Sequence, residues 1–412
     1  MPICDTRRVL ADLMQLRSMG AYKTGVHRPS LSLEHVRSLH WLVDELEAIG
    51  HRARIDGIGN VFGIADVKGA KILAGSHLES QNQAGWLDGP LGVVYALEAA
   101  RAIKADPAFA DCAVDVGCWC DEEGHFGHFL GSRSAVGAVS EGDIDKAVDR
   151  TDGTAMREAL RAAGLAGVRR ENVDALRYVG YLEAHIEQGD WLEAHDLKIG
   201  VVTSIVGIQQ YRVVFEGAQN HAGTTRMAIR KDAGLACARL CLAIDAAFPK
   251  VAGPRTVWTT GRITLDPGSP SIIPGRAEML FQIRDADPAI LARLEARLYE
   301  LAGEADGKGP CSVLVEALRK SAPAVMAETF RAAITAAAEA HAAGRSTEIP
   351  SGAGHDAQVF AAHMPSGMLF VPSIGGISHH WTENTSDADI MLGAQVYVDA
   401  VARLLKGAST RA

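Results

Sequence analysis

Short apolar runs alternate with segments of helical apolar spacing from residue 60 to 119 and again from 324 to 405. That alternation restricts the chain to an α/β architecture with an at least partly parallel sheet. Residues 60–67 and 71–75 read as strands joined by a Gly turn, 90–104 as a helix with Pro90 in its first turn, and 113–119 as a buried strand. Two helices come first, at 5–16 and 32–49, the second capped by Ser32. The texture changes from 201. Strands are predicted at 201–216, 256–265 and 277–285, and helices at 232–248 and 288–305. From 207 to 321 this gives strand, helix, strand, strand, helix, strand, a self-sufficient split βαβ unit. A helix at 324–343, a short helix after His355, a strand at 367–371 and a closing helix at 387–405 then restore the first texture. The expected organisation is a mixed-sheet catalytic domain built from 1–206 and 322–412, with an inserted α+β domain at 207–321.

Length and composition narrow the function classes. A chain of 412 residues suits two domains, and 48% hydrophobic with 22% charged residues is an ordinary globular balance. Lys+Arg 41 against Asp+Glu 50 leaves a net charge of −9, which speaks against nucleic acid as a partner. Seven cysteines without framework spacing, a start lacking the pattern of a leader, and no apolar run long enough to span a bilayer predict a reduced, cytoplasmic protein with no membrane attachment.

The polar residues gather where strands end. His77 and Glu79 follow the strand at 71–75, two apart on an extended chain and so on one side, which would let the carboxylate orient the imidazole. Asp88 stands at the mouth of the next helix, where an N-cap is its bland reading. Asp121, Glu122 and Glu123 follow the strand at 113–119 as three acids that repel one another unless a cation sits among them; the alternative is a solvated acidic loop. Adjacent side chains diverge, so one of Glu122 and Glu123 can bind metal while the other faces a water as general base. Residues 181–189 alternate at period two, with Glu183, His185 and Glu187 on one face, either an exposed edge or a site wall. His379 and His380 follow the strand at 367–371. Collected, His77, Asp88, Glu123, His185 and His379 suit two divalent ions about 3.5–4 Å apart bridged by Asp88. No nucleophile elbow, phosphate loop, dinucleotide fingerprint or CxxC competes, which leaves hydrolysis by metal-activated water. In the inserted domain, His221 before Gly-Thr-Thr reads as part of a cap or as an oxyanion donor, and Arg284 as a surface ion pair or a carboxylate clamp.

The strings GSHLESQNQAGWLDGPLGV, DEEGHFG with FLGSRSAVG, LEAHIEQG, NHAGTTRMAIRKDA, SGAGHDA and PSIGGISHHWTE, in this order, resemble one family. It is the hydantoinase/carbamoylase group of binuclear metallo-amidases on the metallo-exopeptidase fold, which includes N-carbamoyl-L-amino-acid hydrolases, β-ureidopropionases and allantoate amidohydrolases. The resemblance implies His77, Asp88, Glu123, His185 and His379 as ligands of two divalent ions per subunit (Zn, Mn, Co or Ni), and Glu122 as general base. It implies Gln188, His221 and Arg284 at the substrate, with Gly354 and His355 in the loop at 352–355 lining the pocket. It also implies that the inserted domain is a lid that dimerises, with His221 reaching the partner subunit's site.

Four positions depart from the family pattern. Glu79 stands for an Asp, Ser271 for an Asn in the substrate-carboxylate site, Gln282 for an Asp, and Arg226 for a Pro. The expected function is hydrolysis of a linear amide or ureido C–N bond in an N-carbamoyl or N-acyl amino acid or related ureido acid. The departures motivate an alternative, an amidase or aminohydrolase acting on a non-amino-acid compound such as an aromatic amine or amide. A non-catalytic binding protein on the same scaffold would require a broken metal shell.

Overall fold

The computed structural model describes residues 2–409. They form two units, one of residues 2–203, 325–349 and 353–409, the other of residues 204–324 and 350–352.

The first unit is built on a nine-stranded mixed sheet. At its centre Ser366–Val371, Tyr181–Ile186, Lys71–Ser76 and Ala113–Cys118 lie side by side and parallel. All four are buried along their whole length, as parallel strands covered on both faces must be. Val61–Ile64 and Arg52–Ile55 continue the sheet antiparallel on one side, and Ile199–Ile205 on the other. Lys71–Ser76 comes first in sequence and its two neighbours flank it on opposite sides, so the crossovers leave in opposite directions. That is the switch point at which open α/β sheets place their sites.

Helices Thr6–Ser18 and Leu33–Ala48 start at side-chain caps, Asp5 accepting the Arg8 N–H and Ser32 the His35 N–H. Pro90–Ala105 is apolar nearly all round and correspondingly buried. Its Arg101 joins three helices, with Nη1 2.6 Å from Asp12, Nη2 2.6 Å from Glu45 and Nη1 3.7 Å from Glu98. Among the described residues no helix is long and apolar enough to cross a membrane.

The second unit is a four-stranded antiparallel sheet in the order Val257–Asp266, Arg276–Asp285, Gly207–Glu216, Ser312–Lys320. In Arg276–Asp285 the residues Ala277, Met279, Phe281 and Ile283 alternate inward and pack with Cys237, Leu240 and Ile244 of Ala233–Ala247 and Leu294 and Leu298 of Pro288–Lys308.

Two sequence expectations differ from the structure, and a third stretch holds helices that the sequence pattern does not announce. Residues 201–216 are two strands in two sheets, broken at Val206. The helix expected from 324 begins at Glu328, because Ala324–Val325 pair as a short strand. Residues 130–162 hold three helices of six or seven residues, too short for an apolar period to show.

Candidate metal centre

Because the four central strands run parallel, their C-terminal ends share one edge of the sheet, and the polar residues that follow them meet there. His77, Asp88 and His185 offer ligand atoms within 4.8 Å of one another, and so do Asp88, Glu123 and His379. Asp88 belongs to both groups. Its Oδ1 lies 3.0 Å from His185 Nε2 and 3.7 Å from His77 Nε2, and its Oδ2 lies 3.3 Å from His379 Nε2. Glu123 Oε2 is 3.6 Å from the same His379 nitrogen. Each carboxylate oxygen of Asp88 therefore faces a different set of donors. Asp88 is not a helix cap: Gly89 holds that place and no side chain caps the helix.

The histidine tautomers test whether a cation fits. His77 Nδ1 lies 3.1 Å from the Glu79 carbonyl, and His185 Nδ1 lies 2.9 Å from the Ile186 carbonyl. A carbonyl only accepts, so both Nδ1 atoms carry hydrogen and both neutral rings turn an Nε2 lone pair toward the Asp88 carboxylate. Lone pair facing carboxylate is repulsive unless a positive charge lies between. Without a metal a proton can serve: burial opposes charge on His185, yet the Asp88 carboxylate raises it to about 9. Hydrogen bonding to Asp88 raises His379 to about 10. The donor set thus fits divalent cations, with oxygen and imidazole ligands of the kind that Zn, Mn, Co and Ni accept.

The structure corrects the expectation for Glu79. Its backbone carbonyl, not its carboxylate, takes the His77 Nδ1–H; Oε1 stands 3.8 Å from that nitrogen. The extra methylene carries the carboxylate past the ring to the next loop, where Oε1 accepts the N–H groups of Glu122 at 2.5 Å and Glu123 at 3.4 Å.

In that loop the two glutamates diverge. Glu123 faces Asp88 and His379 and is gripped by Gln81, whose N–H donates to Oε1 at 3.1 Å and whose Nε2 donates to Oε2 at 2.8 Å. Glu122 Oε2 lies 3.7 Å from His77 Nε2. Burial, followed by the charges of Glu123, Asp356 and Asp88, pushes the Glu122 carboxyl well above its ordinary value. Asp121 is structural. It takes a left-handed φ of 65°, and its carboxylate accepts the N–H groups of His125, Phe126 and Gly127.

Tyr181–Ile186 is an interior strand, and its polar residues form a buried site wall. Glu183 accepts the Ser76 hydroxyl and the Ala357 N–H, whereas Glu187 accepts the N–H groups of Trp191 and Leu192. Gln188 Nε2 donates to Asp88 Oδ2 at 2.9 Å, and its buried Oε1 has no partner. The His355 ring lies 4.6 Å from that of His185, and Gly354 stands where a Cβ would press on Phe129 at 2.6 Å. Reading the sequence assigned no role to Glu383, whose buried carboxylate accepts the N–H groups of Leu87 and Asp88 and the Ser378 hydroxyl. Its position four residues after His379 was the available signal. Gln81 likewise went unread, being an ordinary polar residue until the fold sets it on Glu123.

In the second unit His221 Nδ1 accepts the N–H groups of Gly223 at 3.0 Å and Thr224 at 3.2 Å. The hydrogen therefore sits on Nε2 as a donor. His221 pairs with Ile272 across a two-stranded ladder, which sets Ser271 beside its loop, the Ala222 N–H donating to the Ser271 carbonyl. Arg284 Nη1 donates to the Gly352 carbonyl at 2.9 Å, and Gln282 Oε1 accepts from Gln210.

Fold and site together define a hydrolase whose donor groups are arranged for divalent cations. Residues 70–403 match the model of peptidase family M20/M25/M40, and the chain belongs to that family. Among its relatives, an N-carbamoyl-L-amino-acid amidohydrolase of Paenarthrobacter aurescens is 32% identical over 95% of this chain and 96% of its own. An allantoate amidohydrolase of Bacillus subtilis is 32% identical over 87% of this chain and 88% of its own. A crystal structure of an amidase of the hydantoinase/carbamoylase family from Burkholderia phymatum superposes with a TM-score of 0.90 at 44% identity, covering 99% of both chains. The protein is an amidohydrolase of this kind.

Proposed function

We propose that the protein hydrolyses the C–N bond of an N-carbamoyl or N-acyl amino acid, or of a related ureido acid, with two divalent ions held by His77, Asp88, Glu123, His185 and His379. The observation that carries this reading is the double-faced Asp88, whose Oδ1 is turned to His77 and His185 and whose Oδ2 is turned to His379, with Glu123 in the second group. Ions bound there would polarise the scissile carbonyl and acidify a water. Glu122 is the general base: its carboxylate takes the proton from the attacking water and returns it to the departing nitrogen. Gln188 presents a free amide oxygen to a substrate N–H. His221 offers its Nε2–H to the carbonyl oxygen as charge develops, and Arg284 offers a planar fork to the substrate carboxylate. Relatives named for N-carbamoyl-L-amino acids and for allantoate support a ureido acid as substrate.

A homodimer formed through the inserted unit accompanies this reading. Val257–Asp266 is a sheet-edge strand with Val257, Ile263 and Leu265 exposed, and a long edge of that kind invites pairing with a second copy. The central test is Glu122→Gln assayed on a panel of N-carbamoyl and N-acyl amino acids. The variant is expected to keep its metal content and to lose about 10²–10⁴ in kcat. Retained turnover would remove Glu122 from the role of base, and a metal-loaded wild type inert on the whole panel would refute the substrate class.

A further inference from the structure

Residues 30–35 lie outside every motif described above, yet two of their side chains act on the loop that carries Glu122. His35 is fully buried in the first turn of Leu33–Ala48. Its Nδ1 accepts the Leu31 N–H at 3.0 Å, so the neutral ring carries its hydrogen on Nε2, which stands 3.5 Å from Glu79 Oε2 without a formed hydrogen bond; both buried atoms lack any other partner, so each is the other's nearest polar complement. The other oxygen of Glu79 accepts the N–H groups of Glu122 and Glu123. Ser30 acts in parallel. Its hydroxyl donates to Asp121 Oδ1 at 2.8 Å, and the Asp121 carboxylate gathers the N–H groups of His125, Phe126 and Gly127. Asp121 itself holds a left-handed backbone that a residue with a Cβ keeps only where its surroundings enforce it. The loop is thus clamped by two buried carboxylates, one on each side of Glu122, and each carboxylate is met from the segment that opens the second helix.

We propose that His35 and Ser30 are positioning residues for the general base and the neighbouring ligand, His35 acting through Glu79 and Ser30 through Asp121. The proposal rests on the reading of Glu122 as base and of Glu123 as ligand. It explains the length of the side chain at position 79. With the His77 ring already held by a backbone carbonyl, a glutamate reaches the two amides, and an aspartate, one C–C bond shorter, does not.

The test uses the full chain as wild type and as Ser30→Ala, His35→Gln, Glu79→Asp, Glu79→Gln and Glu122→Gln. Each variant is melted in the metal-free state, titrated with Co(II) while the visible d–d bands are followed, and assayed for kcat and KM on an N-carbamoyl-L-amino acid. Ser30→Ala and His35→Gln are expected to lower kcat by roughly 10–100-fold with KM within about twofold, and to shift the Co(II) bands, as loss of a group orienting a ligand does. Glu79→Gln, which keeps an acceptor oxygen at full reach, should retain more kcat than Glu79→Asp, which keeps the charge and loses the reach. Ser30→Ala removes a single hydroxyl, so a folded variant is available even if His35→Gln melts early. Wild-type kcat and Co(II) bands in Ser30→Ala and His35→Gln, or an Asp variant at position 79 as active as the wild type, would overturn the proposal. Turnover by Glu122→Gln would instead strike the base assignment and leave the Co(II) bands to decide whether the loop is held.

Discussion

Gly89→Ala asks how closely the ligand shell is tied to the backbone. Gly89 has φ +86°, and a Cβ added there would lie 2.4 Å from His77 Cε1, 2.5 Å from His77 Nδ1 and 2.6 Å from the His77 carbonyl oxygen. Ordinary contact begins at 3.4 Å, so the ring would have to retreat by 3.4 − 2.4 = 1.0 Å, while the alanine also bears φ +86° and ψ −57°, a γ-turn conformation that is rare and strained for a residue with a Cβ. Metal–ligand distances tolerate only about ±0.2 Å, so with the ligand set proposed above a movement of this size would take His77 out of reach of an ion rather than bend the site. Asp88, the next residue, would shift with it. Perturbing groups that merely orient ligands costs about 10–100-fold in metal affinity, and displacing a ligand should cost at least about 100-fold, or about 2.8 kcal/mol. Elemental analysis after dialysis, followed by a Mn or Zn titration, would read this directly. Gly303→Ala is the control. It sits in Pro288–Lys308 with nothing within 4 Å of its added Cβ, and the same substitution there should be neutral or stabilise by about 0.5–1 kcal/mol. Wild-type metal content and turnover in Gly89→Ala would refute the reasoning.

Three further outcomes follow from other parts of the molecule. Arg101→Met strands the buried Asp12 carboxylate, whereas Glu98 keeps Arg8 and the Asp5 N–H, and the substitution should lower the free energy of urea unfolding by about 3 kcal/mol; a loss below about 1 kcal/mol would show the network to be dispensable. Burial lowers His35 to about 3 from an unfolded value of about 6.5, so its share of stability is complete above pH 6.5 and is lost as pH falls toward 3. That share amounts to about 2 kcal/mol by pH 5, and His35→Gln should flatten this part of the acid limb; an unchanged slope would contradict it. Chelation should lower the melting temperature, and adding back metal at a hundredfold its Kd should restore about 2.7 kcal/mol; a metal-independent melt would count against an intact shell.

Much of the site could be read before the fold because its chemistry is local. A strand that must be buried reveals itself as an apolar run; His77, Glu122 and Glu123 come within three residues of such runs, and His379 follows one after a Gly-containing turn. His185 stood out because a histidine and two acids alternate with apolar residues on one strand. The groups that went unread act at a distance in the chain. Glu383 reaches back 295 residues to Asp88, Gln81 reaches 42 residues to Glu123, and His35 stands beside Glu79 across three intervening strands. No periodicity encodes such pairs. Glu79 shows the same limit from the other side: spacing set it beside His77, and the rotamer that carries its carboxylate to another loop depends on the amides it finds there.

The sequence by itself determined the alternation of strands and helices, the order of elements within the inserted segment, and which residue types could hold cations, since burial period and ligand chemistry are properties of neighbouring residues. Tertiary structure alone decided the break at Val206, because one apolar run can serve two sheets. It also decided that Asp88 turns its two oxygens to different partners, and that two buried carboxylates clamp the loop of Glu122. Those choices depend on parallel strand ends brought to one edge, where side chains distant in sequence meet as donors and acceptors.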